Sequence, residues 1–374
     1  NVNLYDLGGN AVFVNNKNSD ITIKGCHIHD VGANAVCFVG DPGSVRSPLF
    51  EYHQTQTLYE MDHARGPQSD NYPSDCLLYD NLIYRCGRLE KQAAAVQISM
   101  AMNITVSHNS IYETPRAGIN ISEGTFGGHI IEFNDVFDTV LETGDHGSIN
   151  SWGRDRFWHK DRSITEKWLE KYPEMTTWDM VKAIFIRNNR FRCDHGWDID
   201  LDDGSSHYEV YNNLCLNGGL KNREGYHRNV YNNIMVNNTF HPHAWYRDSR
   251  DVFTNNIVFQ KYQPIRMPHW GKQVDYNFLH IPGGELKTSQ VLQKMTKKEE
   301  HSMQGDAMFV DPKTGDYSLK KDSPALKLGF VNFPMDEFGV VSEYLRAIAR
   351  TPQLPQTAYA AFTDESENST SWHD

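Results

Sequence analysis

Five aspartates crowd the stretch CDHGWDIDLDDGSS, which runs from Cys193 to Ser206: Asp194, Asp198, Asp200, Asp202 and Asp203. No Lys or Arg lies within it. Carboxylates packed this closely hold a cation, do proton chemistry, or form a solvated edge. Crowding favours the second, because like charges raise at least one pKa and keep one acid protonated near neutral pH. The neighbouring motifs suit a sugar. GDHGSINSWGRDRFW supplies Asp145, His146 and Trp152, and CDHGW supplies His195 and Trp197. LKNREGYH supplies Lys221, Arg223 and Glu224, and HPHAWYR supplies His241, His243, Trp245 and Arg247. Aromatic rings stack on sugar faces, and His and Arg bond to hydroxyls.

These residues need a frame, and an internal repeat provides it. Short β-rich runs each carry an Asn at one place: Asn81, Asn109, Asn134, Asn189, Asn213, Asn233, Asn256 and Asn277. The steps between them are 28, 25, 55, 24, 20, 23 and 21 residues. An earlier copy has Gly25 there. Each unit reads as an alternating strand, a tight corner and a second alternating strand. One such unit cannot bury its apolar face alone, whereas stacked units can. Asn suits the corner because it tolerates the left-handed backbone and its amide bonds to the Asn of the next unit. The expected fold is all-β, a parallel β-helix.

The solenoid is expected over 1–282, with insertions at about 38–75 and 154–181. In the second insertion, Ser163 and Glu166 form a capping-box pattern, which predicts a helix near 164–171. Its aromatic residues predict a packed flap. Residues 283–374 read as a helix, a hairpin turning at Lys313–Gly315 and a tail from about Pro352. This segment is expected to cap the solenoid.

Along WDIDLDD, side chains alternate faces. Ile199 and Leu201 point inward, so Asp198, Asp200 and Asp202 point outward. Asp194 and Asp203 fall at corners. Asp145, Asp200 and Glu224 each lie 11 residues after their unit's Asn. With like corners they stack on successive rungs, about 5 Å between neighbours and about 10 Å between the outer two. Carboxylates at about 5–5.5 Å suit a retaining glycosidase and at about 6.5–9.5 Å an inverting one. The expected catalytic residues are therefore Asp200, Glu224 and Asp145. The expected substrate contacts are His146, Trp152, His195, Trp197, Asp198, Asp202, Arg223, His241, His243, Trp245 and Arg247. No metal or cofactor is expected.

At these motifs the chain resembles the right-handed parallel β-helix glycoside hydrolases of bacteria that degrade plant and algal glycans. It looks most like families 141 and 120. That resemblance implies α-L-fucosidase, xylanase or β-xylosidase activity, and a secreted or periplasmic location. An Asp nucleophile followed by a Glu acid/base, as in the xylosidase family, maps onto Asp200 and Glu224. An aspartate pair, as in the fucosidase family, maps onto Asp145 and Asp200. Two rivals stand beside it. A calcium-dependent polysaccharide lyase uses clustered acids for the metal and a basic residue such as Lys221 or Arg223 as base. A non-catalytic β-helix binds glycans without chemistry.

Whole-chain properties agree with a carbohydrate partner. The 374 residues carry a formal charge of −12, and the pI is about 5.8. Nucleic acid and anionic membrane both need a basic face. No apolar run is long enough to span a bilayer. The six cysteines form no C-x-x-C pair, so buried free thiols are expected. The chain opens inside a repeat, so further residues upstream are expected. The oligomeric state is left open.

Overall fold

A computed structural model describes residues 1–46, 50–122 and 126–355. The chain is a right-handed parallel β-helix with three long sheets of 12, 8 and 9 strands. Among the described residues, a full rung contributes a strand to the third sheet, turns at the ladder position, then supplies the first and second sheets, while the rungs at either end contribute to two of the three. Strands meet their counterparts on neighbouring rungs in parallel register. In the first sheet the line Ile83, Ile111, Val136, Phe191, Cys215, Met235, Val258 and Leu279 stacks inward. All are at most 2% exposed, so the core is a column. Fully burying each such aliphatic side chain contributes about 1.5–3 kcal/mol.

The asparagine ladder closes the corner between the third and first sheets. Its eight Asn side chains are fully buried. Each Nδ2 donates to Oδ1 of the next Asn at 2.9–3.2 Å. The same Oδ1 accepts the backbone N–H of the previous Asn. The left-handed residue is not the ladder Asn but the one before it. Asp80, His108, Phe133, Asn188, Asn212, Asn232, Asn255 and Tyr276 all have φ between +53° and +61°. The ladder ends on Asn277, whose Nδ2 lies 3.2 and 3.3 Å from the two oxygens of buried Glu299. Burial pushes Glu299 up to about 6.

Both insertions leave the same side of the solenoid. Helix α1 spans Arg162–Lys171. Its cap is Asp161, which accepts from Ser163 N and Oγ. Glu166 does not close a capping box; its Oε1 accepts the backbone N–H of Arg247. Met61 from the first insertion packs with Phe157, Trp158, Met175 and Trp178 of the second, over Tyr226 and Tyr246 of the solenoid. The flap therefore sits on the rungs that carry the acids.

Helix α2 (Gln290–Thr296) is shorter than the helical run in the sequence, because Lys297 turns left-handed. Its Leu292 enters the solenoid core and closes the column. The hairpin Phe309–Asp311 with Asp316–Leu319 packs elsewhere, on the outer side of the first sheet. From there the chain runs back along the solenoid. Val331 bonds Asn232, Gly339 bonds Phe133, and Val341 and Ser342 bond Asp80. The sequence tail beyond residue 355 lies outside the described residues. All six cysteines are buried and free.

Candidate active site

The second sheet positions the acids. Its strands include Val96–Ser99, Ile119–Ser122, Gly147–Trp152, Trp197–Asp202, Leu220–Asn222 and Phe240–Pro242. Ile199 and Leu201 are fully buried in the core, as the alternation requires. The outward line through Asp200 reads Gln97, Asn120, Asn150, Asp200, Lys221, His241. The flanking line pairs Trp152 with Asp202.

This register overturns the 11-residue stacking. Asp200 faces Asn150 and Lys221 on its neighbouring rungs, not Asp145 and Glu224. The corners between ladder and second sheet differ in length, so a fixed count slips. Asp145 sits at the corner before its strand, with its side chain 59% exposed. It bonds its neighbour His146 N at 2.9 Å and lies 3.4 Å from Arg116. Glu224 follows its strand and is buried beneath the flap, 2.9 Å from Arg223 and 3.4 Å from Trp158 Nε1. Burial raises its pKa against the pull of Arg223.

Asp200, Asp202 and Lys221 form the centre. Lys221 Nζ lies 3.0 Å from Asp200 and 3.1 Å from Asp202. Arg223 lies 3.1 Å from Asp202 and 2.9 Å from Asp203. The two outward aspartates respond oppositely. Complete burial pushes Asp200 up to about 7, although Lys221 opposes it. Burial also acts on Asp202, but Lys221 and Arg223 outweigh it and hold this carboxyl below its ordinary value. Lys221 is itself raised, because the two carboxylates outweigh its burial.

Asn150 completes Asp200's surroundings. Its side-chain amide lies 3.0 Å from Asp200 Oδ2. Asn150 Nδ2 donates to Asn120 at 2.8 Å, and Asn120 Nδ2 to Gln97 at 2.9 Å. Gln97 Nε2 donates to Ser99 and Ser122. Turning the Asn150 amide over would set its oxygen against that of Asn120, unless the whole row turned with it. With its nitrogen toward the acid Asn150 donates to ionised Asp200, and with its oxygen there it accepts the proton of neutral Asp200.

Histidines and Trp197 wall the centre. Trp197 meets His241 edge-on at 4.5 Å, and His243 at 6.0 Å. Burial holds His146 and His243 neutral, down to about 4, and His241 to about 3. Arg116 donates to His146 Nε2 at 2.8 Å. That contact places the imidazole proton on Nδ1.

Several expected contacts have other duties. Asp198 is fully buried and accepts the backbone N–H groups of Cys193, Asn217, Gly218 and Gly219 at 2.6–3.1 Å. It fastens two corners and offers nothing to a substrate. Trp245 is fully buried in the core, donating to Asn222 O. Arg247 lines a separate surface pocket with Glu166, Tyr226 and His227. His195 stands exposed at a corner. Counting from the ladder missed Asn150, Asn120 and Gln97. Aligning the alternating runs VQIS, INIS, INSW and IDLD would have found them.

The lyase chemistry fits this arrangement poorly. Asp200, Asp202, Asp203 and Glu224 are each paired with a cationic side chain. The raised pKa of Lys221 keeps it charged, so it is no base at neutral pH. Among the described residues no group of three or more His, Cys, Asp or Glu is arranged to hold a metal. No helix among them is long and apolar enough to cross a membrane.

Comparison with known proteins bears on the fold. No curated protein matches the chain. A solved structure described as a glycoside hydrolase is similar over 71% of this chain, at 11% identity and a TM-score of 0.30. The alignment spans 33% of that protein, so this chain covers about a third of its length. Residues 1–136 match the family model for a right-handed β-helix region.

Proposed function

We propose that this protein is a glycoside hydrolase whose working pair is Asp200 and Asp202. One observation carries the reading: two carboxylates on one face of one strand share Lys221, and their pKa values are pushed apart. Such a pair divides acid and base roles by environment. Asp202 is the ionised partner and the more accessible, 16% against 0% for the side chains. It attacks the anomeric carbon, while protonated Asp200 gives its proton to the leaving oxygen. Asp200 then takes a proton from water as the glycosyl ester is hydrolysed.

Lys221 lies over Asp200. A sugar hydroxyl that draws this side chain aside uncovers Asp200 Oδ1, the oxygen from which the acid then delivers its proton. Glu224 holds Arg223 against Asp202, and Asp145 holds Arg116 against His146. The neutral imidazoles of His146 and His243 supply bonds to hydroxyls. The likeness to families 141 and 120 rests on sequence motifs, and fucosides and xylosides are the first substrates to try.

The experiment is a screen of aryl α-L-fucoside, β-xyloside and galactosides with the wild type, Asp200→Asn, Asp202→Asn and Glu224→Gln. Loss of one carboxylate of the pair costs at least about 10²-fold in turnover. Near-normal turnover in either Asp variant sinks the pair. Collapse in Glu224→Gln with retention in Asp202→Asn restores the Asp200–Glu224 assignment.

A further inference from the structure

An open groove of about 730 Å³ lies on the second sheet beside the acids. Gln97 and Asn120 line its floor, Gln92 and Glu90 one side, and Trp152 the end. Asn120 stands one rung before Asn150 and two before Asp200. The groove therefore opens about 10 Å along the solenoid axis from the proton donor.

Its chemistry is specific. Glu90 is the sole ionisable residue among its described lining, and no cation lines it. The floor is amide and hydroxyl. The side-chain bonds from Asn120 to Gln97, and from Gln97 to Ser99 and Ser122, fix it in place. Trp152 is half-buried, and the Arg154 guanidinium lies 4.5 Å from its ring centre, against one face. That cation braces the indole, which leaves the other face for the groove. A flat ring beside a row of amides matches a ligand with alternating apolar faces and hydroxyl edges. An anionic ligand would meet Glu90 with nothing to balance it.

We infer that this groove binds further sugars of an uncharged glycan chain, laid along the solenoid axis and running into the acid pair. The inference rests on the hydrolase reading for the direction of the chain, not for the binding itself. It makes the preferred ligand an oligomer, because only an oligomer spans from Gln97, three rungs away, to Asp200.

Affinity electrophoresis of the whole chain tests it, with arabinoxylan, galactan and mannan as neutral probes and polygalacturonate as the acidic one. Asp200→Asn protein is run beside the wild type to stop cleavage. The expected result is retardation by at least one neutral polysaccharide and none by polygalacturonate. Trp152→Ala and Asn120→Ala should each weaken retention at least fivefold, and Trp152→Tyr should restore most of it. Thermal melts of each variant report folding. Retardation by polygalacturonate alone, no retardation by any neutral probe, or wild-type retention in folded Trp152→Ala overturns the inference. Turnover of aryl glycosides is scored separately. Retention without turnover refutes the hydrolase and keeps the groove, and turnover without retention does the reverse.

Discussion

The side-chain amide of Asn150 lies 3.0 Å from Asp200 Oδ2, on the adjacent rung. At that distance the amide nitrogen donates to an ionised acid, or the amide oxygen accepts a proton from a neutral one. Burial favours the neutral acid, since it raises Asp200 to about 7. The amide row from Asn150 to Gln97 then runs in one consistent sense.

Removing Asn150 tests which atom faces the acid. Asn150→Ala takes away the acceptor for the Asp200 proton and admits water. Both effects lower the pKa of Asp200. The basic limb of the kcat/KM profile should move down by about 0.7 pH unit, for a bond worth about 1 kcal/mol. A limb that moves up would mean that Asn150 donates to an ionised Asp200.

Lys221 holds Asp202 ionised. Lys221→Met removes an opposite charge at 3.1 Å. The acid limb, set by Asp202, should rise by about 1–3 pH units. An unmoved acid limb in an active variant contradicts the role of Asp202. Unsaturated products from the wild type, seen by ultraviolet absorbance, would indicate a lyase instead.

Stability should carry the signature of Asp200. Its folded pKa lies above its unfolded value, so the folded state keeps a proton that the unfolded chain releases. The associated stability is present at low pH and lost as pH rises from about 4 to about 7. Asp200→Asn removes this dependence. The difference in Tm between variant and wild type should therefore favour the variant increasingly from pH 4 to pH 8. A constant difference would show that Asp200 titrates normally.

The asparagine ladder should be costly to break. Asn213→Ala removes the side-chain acceptor of the Asn189 backbone N–H and one bond each from the Asn189 amide and the carbonyls of Ile186 and Tyr211. Buried groups left unpaired cost about 1–3 kcal/mol each. Urea unfolding should show a loss of about 2–4 kcal/mol after partial relaxation. A loss under about 1 kcal/mol would mean that neighbouring rungs re-pair these groups.

Much of this architecture could be read from the chain, because a solenoid repeats its rules. The Asn spacing located the corners, and the alternation at Ile199 and Leu201 identified the face. The site was less legible. The corners between Asn134 and Asn150, and between Asn213 and Lys221, differ in length, and no local signal reports a bulge. Alternation also says which way a side chain points, not what covers it. Asp198 points outward, yet four backbone N–H groups close over it. Trp245 looked like a sugar platform but fills the column, because the chain turns inward after Pro242. The long return of the C-terminal segment along the first sheet depends on contacts such as Asn232 with Val331, 99 residues apart.

Azide rescue tests the central claim most directly. Two carboxylate oxygens held 3.0 and 3.1 Å from one ammonium can be no more than about 6 Å apart, short of the span an inverting pair leaves for water. With an activated aryl glycoside, azide should restore turnover to Asp202→Gly and yield a glycosyl azide of inverted configuration. In Asp200→Gly it should yield the retained azide. Rescue of neither variant, or inverted azide from Asp200→Gly, would contradict the assignment of Asp202 as nucleophile and Asp200 as acid.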